Sequence, residues 1–106
     1  MTIDWSAVET SVVQAVSGVL DGNGVAAAQD ASRGAIFLVR AEQTMQENGG
    51  AMSAQVKALL ARQQQLAFTA FLRGYEGVTE LVAAKALDAG VKALEDALGT
   101  AFLAAG

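Results

Sequence analysis

Residues 53–102 read SAQVKALLARQQQLAFTAFLRGYEGVTELVAAKALDAGVKALEDALGTAF. Small and apolar side chains, with one glutamine, recur along this stretch at steps of three or four from Val56 to Phe102, as one face of a helix requires. An unbroken helix of this length would measure on the order of 70 Å at about 1.5 Å per residue, whereas a domain of this size has a radius of gyration of only about 13 Å. We therefore expect one of two structures. Either the long helix is continuous and neighbouring subunits cover it, which we take as the first expectation, or Gly74 and Gly77 kink or break it and the chain forms a four-helix bundle.

The rest of the chain is also predicted to be helical. It contains no proline and 23 alanines, which removes the strongest helix breaker and supplies the best helix former. A first helix is expected to begin near Asp4 or Ser6 and to end at residues 21–24, where two glycines and an asparagine favour a helix stop. A second is expected from Val25 to Glu47, before the Asn-Gly-Gly break at 48–50.

Taken together, these signals predict a single all-α domain spanning residues 1–106. Its architecture is expected to be a helical hairpin or a bundle of three helices, or of four if the chain breaks near Gly74 and Gly77. A long C-terminal helix is expected to begin at about Ser53, which is a typical N-cap residue.

The composition excludes most enzymatic chemistry. The chain has no histidine and no cysteine, so the commonest general base, the thiolate nucleophile and the preferred zinc ligands are absent together. Glu76 and Glu80, four residues apart on one helix face, are the best pair for a metal or for acid–base work, but they lack the histidines of di-iron bundles. We expect no enzymatic activity, no cofactor and no metal site.

Charge and hydropathy constrain the partners. Eleven acidic residues against seven basic ones give a net charge of −4 and a pI near 4.5, which argues against nucleic acid. Residues 1–50 carry a net charge of −4 and residues 51–106 a net charge of zero. No base precedes Arg33, so no cleavable signal peptide is expected, and the uncharged stretches are too short for a transmembrane helix. The compartment is left open.

The apolar content predicts assembly. The chain is 53% apolar with a mean hydropathy of +0.35, which indicates more apolar surface than one small bundle buries. The uncharged tail at 97–106 is expected to dock on another subunit, with packing on its own bundle or on a membrane as alternatives. The expected partners are copies of this chain and other structural proteins. The residues expected at the interface are Phe71, Gly74, Leu94, Leu98, Phe102 and Leu103.

In its alanine-rich, proline-free helical texture, mainly from Leu59 to Gly106, the chain resembles the small helical structural proteins of tailed bacteriophages. The resemblance implies a non-enzymatic virion component of the tail or head-to-tail region, packed in a ring or stack, and transfers no site residues. One alternative is a membrane-active helical protein, either pore-forming or ejected. Another is a small secreted hairpin of the WXG type, although the turn at 48–50 has no tryptophan and Trp5 lies far from it.

Overall fold

The computed structural model describes residues 4–47 and 53–98. Over these two ranges the chain forms α-helices and no strand, so the predicted all-α fold is confirmed. The helices are α1 (Trp5–Gly22), α2 (Ala28–Ser32), α3 (Ala35–Glu47), α4 (Ala54–Arg73) and α5 (Glu80–Leu98). The four long helices make a bundle with a radius of gyration of 13.4 Å.

Helix α1 begins and ends where the sequence indicates. Of the two predicted starts, Asp4 is the N-cap, because its carboxylate accepts a hydrogen bond from the backbone N–H of Ala7 at 3.2 Å. At the other end the Asn23 side chain donates to the carbonyl of Val19 at 2.8 Å, and Gly24 has a φ of +75°. That left-handed backbone is one that glycine adopts without strain, so the chain leaves the helix axis there.

The expected second helix, Val25–Glu47, is wrong as a continuous element. The chain forms the short α2, turns at Arg33 and Gly34 through i→i+3 backbone hydrogen bonds, and begins again as α3. A neighbour distant in sequence requires glycine at this break, because a Cβ atom added at Gly34 would lie 2.7 Å from Cδ1 of Phe71. The Phe71 ring of α4 thus packs directly on the bare backbone at the break.

The continuous helix from Ser53 is also not observed. Helix α4 is capped as predicted by Ser53, whose hydroxyl accepts from the backbone N–H of Val56 at 3.2 Å, but it ends at Arg73. Gly77 then takes a φ of +87°, and the Thr79 hydroxyl accepts from the N–H of Val82 at the start of α5. Because the chain reverses here, the structure has the four-helix alternative rather than the helical hairpin or the long extended helix.

The core lies between all four long helices. Helix α1 packs most extensively on α5, where a Cβ atom added at Gly90 would lie 3.1 Å from Cγ2 of Val16, so the glycine lets the two helices approach closely. Helix α4 contributes the fully buried Phe68 and Leu72. The buried face of α1 has the four-residue spacing expected of a core stripe and comprises Val8, Val12, Val16 and Leu20.

Candidate interaction surface

The outward side of α4 is apolar and exposed. Val56, Leu59 and Leu66 are 45%, 56% and 61% exposed, although leucine and valine are among the residues most often buried. Phe68 and Leu72, which are fully buried, lie on the other side of the same helix. Helix α4 therefore has two apolar faces, of which the bundle covers only one.

Five of the exposed residues of α4 follow a coiled-coil spacing. Residues 56, 59, 63, 66 and 70 are separated by three, four, three and four positions and are all exposed. This is the spacing of positions a and d in a heptad repeat, along which a second helix packs. We call these five residues the α4 seam: Val56, Leu59, Gln63, Leu66 and Ala70.

Charge distinguishes the two sides of the bundle. Helix α4 carries Lys57, Arg62 and Arg73 and no acidic residue. The described residues before it, 4–47, carry six acids and two bases. The α1–α3 half is thus acidic and α4 is basic, so these two parts of the molecule favour different partners.

An aromatic cluster lies beside the seam. The ring centroids of Phe37 and Phe71 are 6.1 Å apart, and those of Phe71 and Tyr75 are 5.4 Å apart, both edge to face. Phe37 is 49% exposed and Phe71 is 36% exposed, so apolar surface extends from α4 to the edge of α3. The predicted interface residue Phe71 lies here, and Gly74, exposed, is the C-cap of the same helix.

The other predicted interface residues lie elsewhere. Leu94 is only 2% exposed, so its side chain belongs to the core, and Leu98 is half-buried and packs against that core. Because α5 runs back along α4, Leu98 lies at the end of the bundle away from Gly74. Phe102 and Leu103 fall outside the described residues. The predicted set does not form one surface among the described residues, and it omitted Leu59, Leu66 and Phe37.

A second concave surface lies between α1 and the α2–α3 segment. It is an open groove of about 880 Å³, including space open to solvent. Half-buried Val13 and Ile36 give it apolar surface, and exposed Gln14 and Gln29 add amide groups. We call it the α1–α3 groove, and its lining residues are Glu9, Thr10, Val13, Gln14, Ser17, Gln29, Ser32, Arg33 and Ile36.

One carboxyl group lies inside the bundle. Glu42 is 3% exposed and borders a small cavity between α3, α4 and α5. Burial raises the pKa of this carboxyl, while a 2.7 Å hydrogen bond from the Gln46 amide and the nearby charge of Lys57 partly oppose that rise. Sequence reasoning missed Glu42, although its spacing from Leu38 and Met45 places it on the apolar face of α3.

The carboxylate pair singled out in the sequence does not form a helical site. Glu76 lies in the turn between α4 and α5, and Glu80 is the first residue of α5, so the expectation of one shared helix face is wrong. Over residues 4–47 and 53–98, no three His, Cys, Asp or Glu side chains are grouped so that they could hold a metal ion. None of the helices in the same ranges is both long and apolar enough to cross a membrane.

Comparison of the chain with protein families, with curated proteins and with solved structures found no match. The α4 seam and the α1–α3 groove are therefore the features from which a function can be inferred.

Proposed function

We propose that this protein is a non-enzymatic assembly subunit, a preformed four-helix bundle that packs against further copies of itself through α4. The observation that carries the proposal is the α4 seam. Its three large apolar side chains are about half exposed, follow coiled-coil spacing and point away from a core that is complete without them. Such a surface is typical of a helix that receives another helix.

The size of the seam sets the expected strength of association. Fully burying a leucine or valine side chain contributes about 1.5–3 kcal/mol, so covering the exposed half of Val56, Leu59 and Leu66 contributes about 3 kcal/mol per seam. Association costs about 4–15 kcal/mol in lost translational and rotational freedom. A single contact is therefore weak, and a stable assembly needs several contacts per subunit, as in a closed ring or a stack.

The setting follows from the sequence resemblance. An alanine-rich, proline-free helical bundle with one unpartnered helix face suits a structural component of a tailed-bacteriophage virion, in the tail or head-to-tail region. The partners in that setting are copies of the chain and neighbouring structural proteins. The self-contained core supports a subunit that folds first and assembles afterwards.

The test compares two sets of exposed leucines. Leu59→Gln with Leu66→Gln removes the large side chains at the centre of the seam, whereas Leu81→Gln changes a leucine that is 64% exposed on α5. We expect light scattering to give a monomer mass for the double variant, and the wild-type oligomer mass for Leu81→Gln. Circular dichroism should show equal helix content in all three proteins, because none of these leucines lies in the core. Equal masses for all three proteins would contradict a role for the seam.

A second candidate function rests on the charge of α4. Three basic residues and no acidic one accompany its exposed apolar face, which is also the pattern of helices that lie on anionic lipid surfaces. In that case the protein is membrane-active, and it should bind and permeabilise vesicles containing phosphatidylglycerol. The assembly proposal predicts that such vesicles stay intact.

A further inference from the structure

We infer that copies of this chain associate head to tail, with the α4 seam of one subunit in the α1–α3 groove of the next. The inference rests on the proposed assembly function and names the two surfaces that meet. Each surface belongs to a different side of the bundle, so every subunit can receive one neighbour while it docks on another.

Charge favours this pairing over contact between two seams. Helix α4 has three bases and no acid, so an antiparallel contact of two seams centred on Gln63 brings the Arg62 side chains of both copies towards each other. The groove lining carries one acid and one base, Glu9 and Arg33, but most of it belongs to α1 and α2, and residues 4–32, which contain these helices, have four acids and no base. The basic helix is therefore attracted to the acidic half of a neighbour and repelled by its α4.

The groove matches the length of the central part of the seam. The groove runs along α1 from Glu9 to Ser17, about 12 Å at 1.5 Å per residue, and the two leucines of the seam, Leu59 and Leu66, lie about 10 Å apart on the same scale, within a seam of about 21 Å. The apolar surface of Val13 and Ile36 suits the two leucines of the seam. The exposed amides of Gln14 and Gln29 can pair with Gln63, so the polar centre of the seam does not lose its hydrogen bonds on docking.

Different surfaces on the two sides of a contact have a geometric consequence. A symmetric contact between two seams gives a dimer that adds no further subunits through this contact. Head-to-tail contacts can add subunits repeatedly, giving a ring if the rotation between subunits closes and an open stack if it does not. Head-to-tail docking thus also provides the several contacts per subunit that the weak seam requires.

Thiol crosslinking tests the inference without background, because the chain contains no cysteine. Gln63→Cys places a thiol on the seam and Gln14→Cys places one in the groove, both at exposed positions. A short bismaleimide is added to each variant alone and to their equimolar mixture. We expect the crosslinked dimer to be the main product in the mixture and a minor one in each variant alone. Ala84→Cys, exposed on α5 and on neither surface, replaces Gln14→Cys in the control mixture, which should lose that product.

The outcomes separate this inference from the proposed function. Efficient crosslinking of Gln63→Cys with itself would overturn head-to-tail docking in favour of a symmetric seam contact, while assembly itself would stand. Absence of crosslinks in every mixture, together with a monomer mass, would overturn both. If Gln63→Cys forms no crosslink in any mixture but anionic vesicles protect its thiol from maleimide, the seam binds a lipid surface instead.

Discussion

Replacing Gly34 by alanine should destabilise the protein, although an alanine normally stabilises a helical segment relative to glycine. The added Cβ would lie 2.7 Å from Cδ1 and 3.1 Å from Cε1 of Phe71, so the ring must move away. Moving it loosens its edge contacts with Phe37 and Tyr75, each worth about 0.5–1.5 kcal/mol beyond area burial. In the opposite direction, Gly→Ala lowers the conformational entropy of the unfolded chain, which stabilises the folded protein by about 0.4–1 kcal/mol. We expect a net loss of about 1 kcal/mol in the free energy of unfolding.

Urea denaturation followed by circular dichroism measures this change, and Gly18→Ala is the matched control. Nothing lies within 4 Å of a Cβ added at Gly18 in α1, so that variant should gain stability. Phe71→Leu should remove most of the penalty of Gly34→Ala, because the clash is with the ring. If Gly34→Ala stabilises the protein as much as Gly18→Ala does, Phe71 does not pack closely on the backbone at Gly34.

Three further changes test the fold and the buried carboxyl. Because burial raises the pKa of Glu42, this carboxyl ionises at lower pH in the unfolded chain than in the folded one, so the free energy of unfolding should fall as the pH rises from 4.5 through the raised pKa. Urea unfolding over that pH range should show a shallower fall for Glu42→Gln than for the wild type, and equal slopes would refute the effect. Gly77→Ala places an L-residue at a φ of +87° and should lower the free energy of unfolding by about 1–2 kcal/mol, measured by urea unfolding. An unchanged urea midpoint would mean that the turn has another conformation. Asp4→Ala removes the N-cap of α1 and should lower the free energy of unfolding by about 1 kcal/mol, whereas Asp4→Asn should retain most of the stability. Equal losses for the two variants would argue against capping by Asp4.

Local signals in the sequence were sufficient to predict the all-α fold and several of the helix ends. The start of α1 near Asp4, the cap at Ser53 and the stop at residues 21–24 depend on residues within one turn, and the structure has all three. The breaks at Gly34 and Gly77 were harder, because a single glycine is tolerated in a helix. At Gly34 the contact that requires glycine is with the Phe71 ring, which lies 37 positions further along the chain.

The exposed face of α4 shows a second limit of prediction from sequence. The apolar stripe traced from Val56 through Gln63 to Phe71 is real, but on α4 it lies on the outside, and the core is reached by Phe68 and Leu72. Small and apolar residues occur on both faces of α4, so periodicity alone does not tell which one the bundle covers. The packing of α3 and α5 against α4 decides which face of α4 is buried, and therefore where the candidate interaction surface lies.

The native mass of the unmodified chain, measured by sedimentation equilibrium over a wide range of concentrations, tests the assembly proposal most directly. The proposal predicts a mass well above the 10.8 kDa of one chain, rising with concentration and falling to that of one chain when the seam leucines are replaced. A mass of one chain at every concentration, with Leu59 and Leu66 left in water, would contradict it.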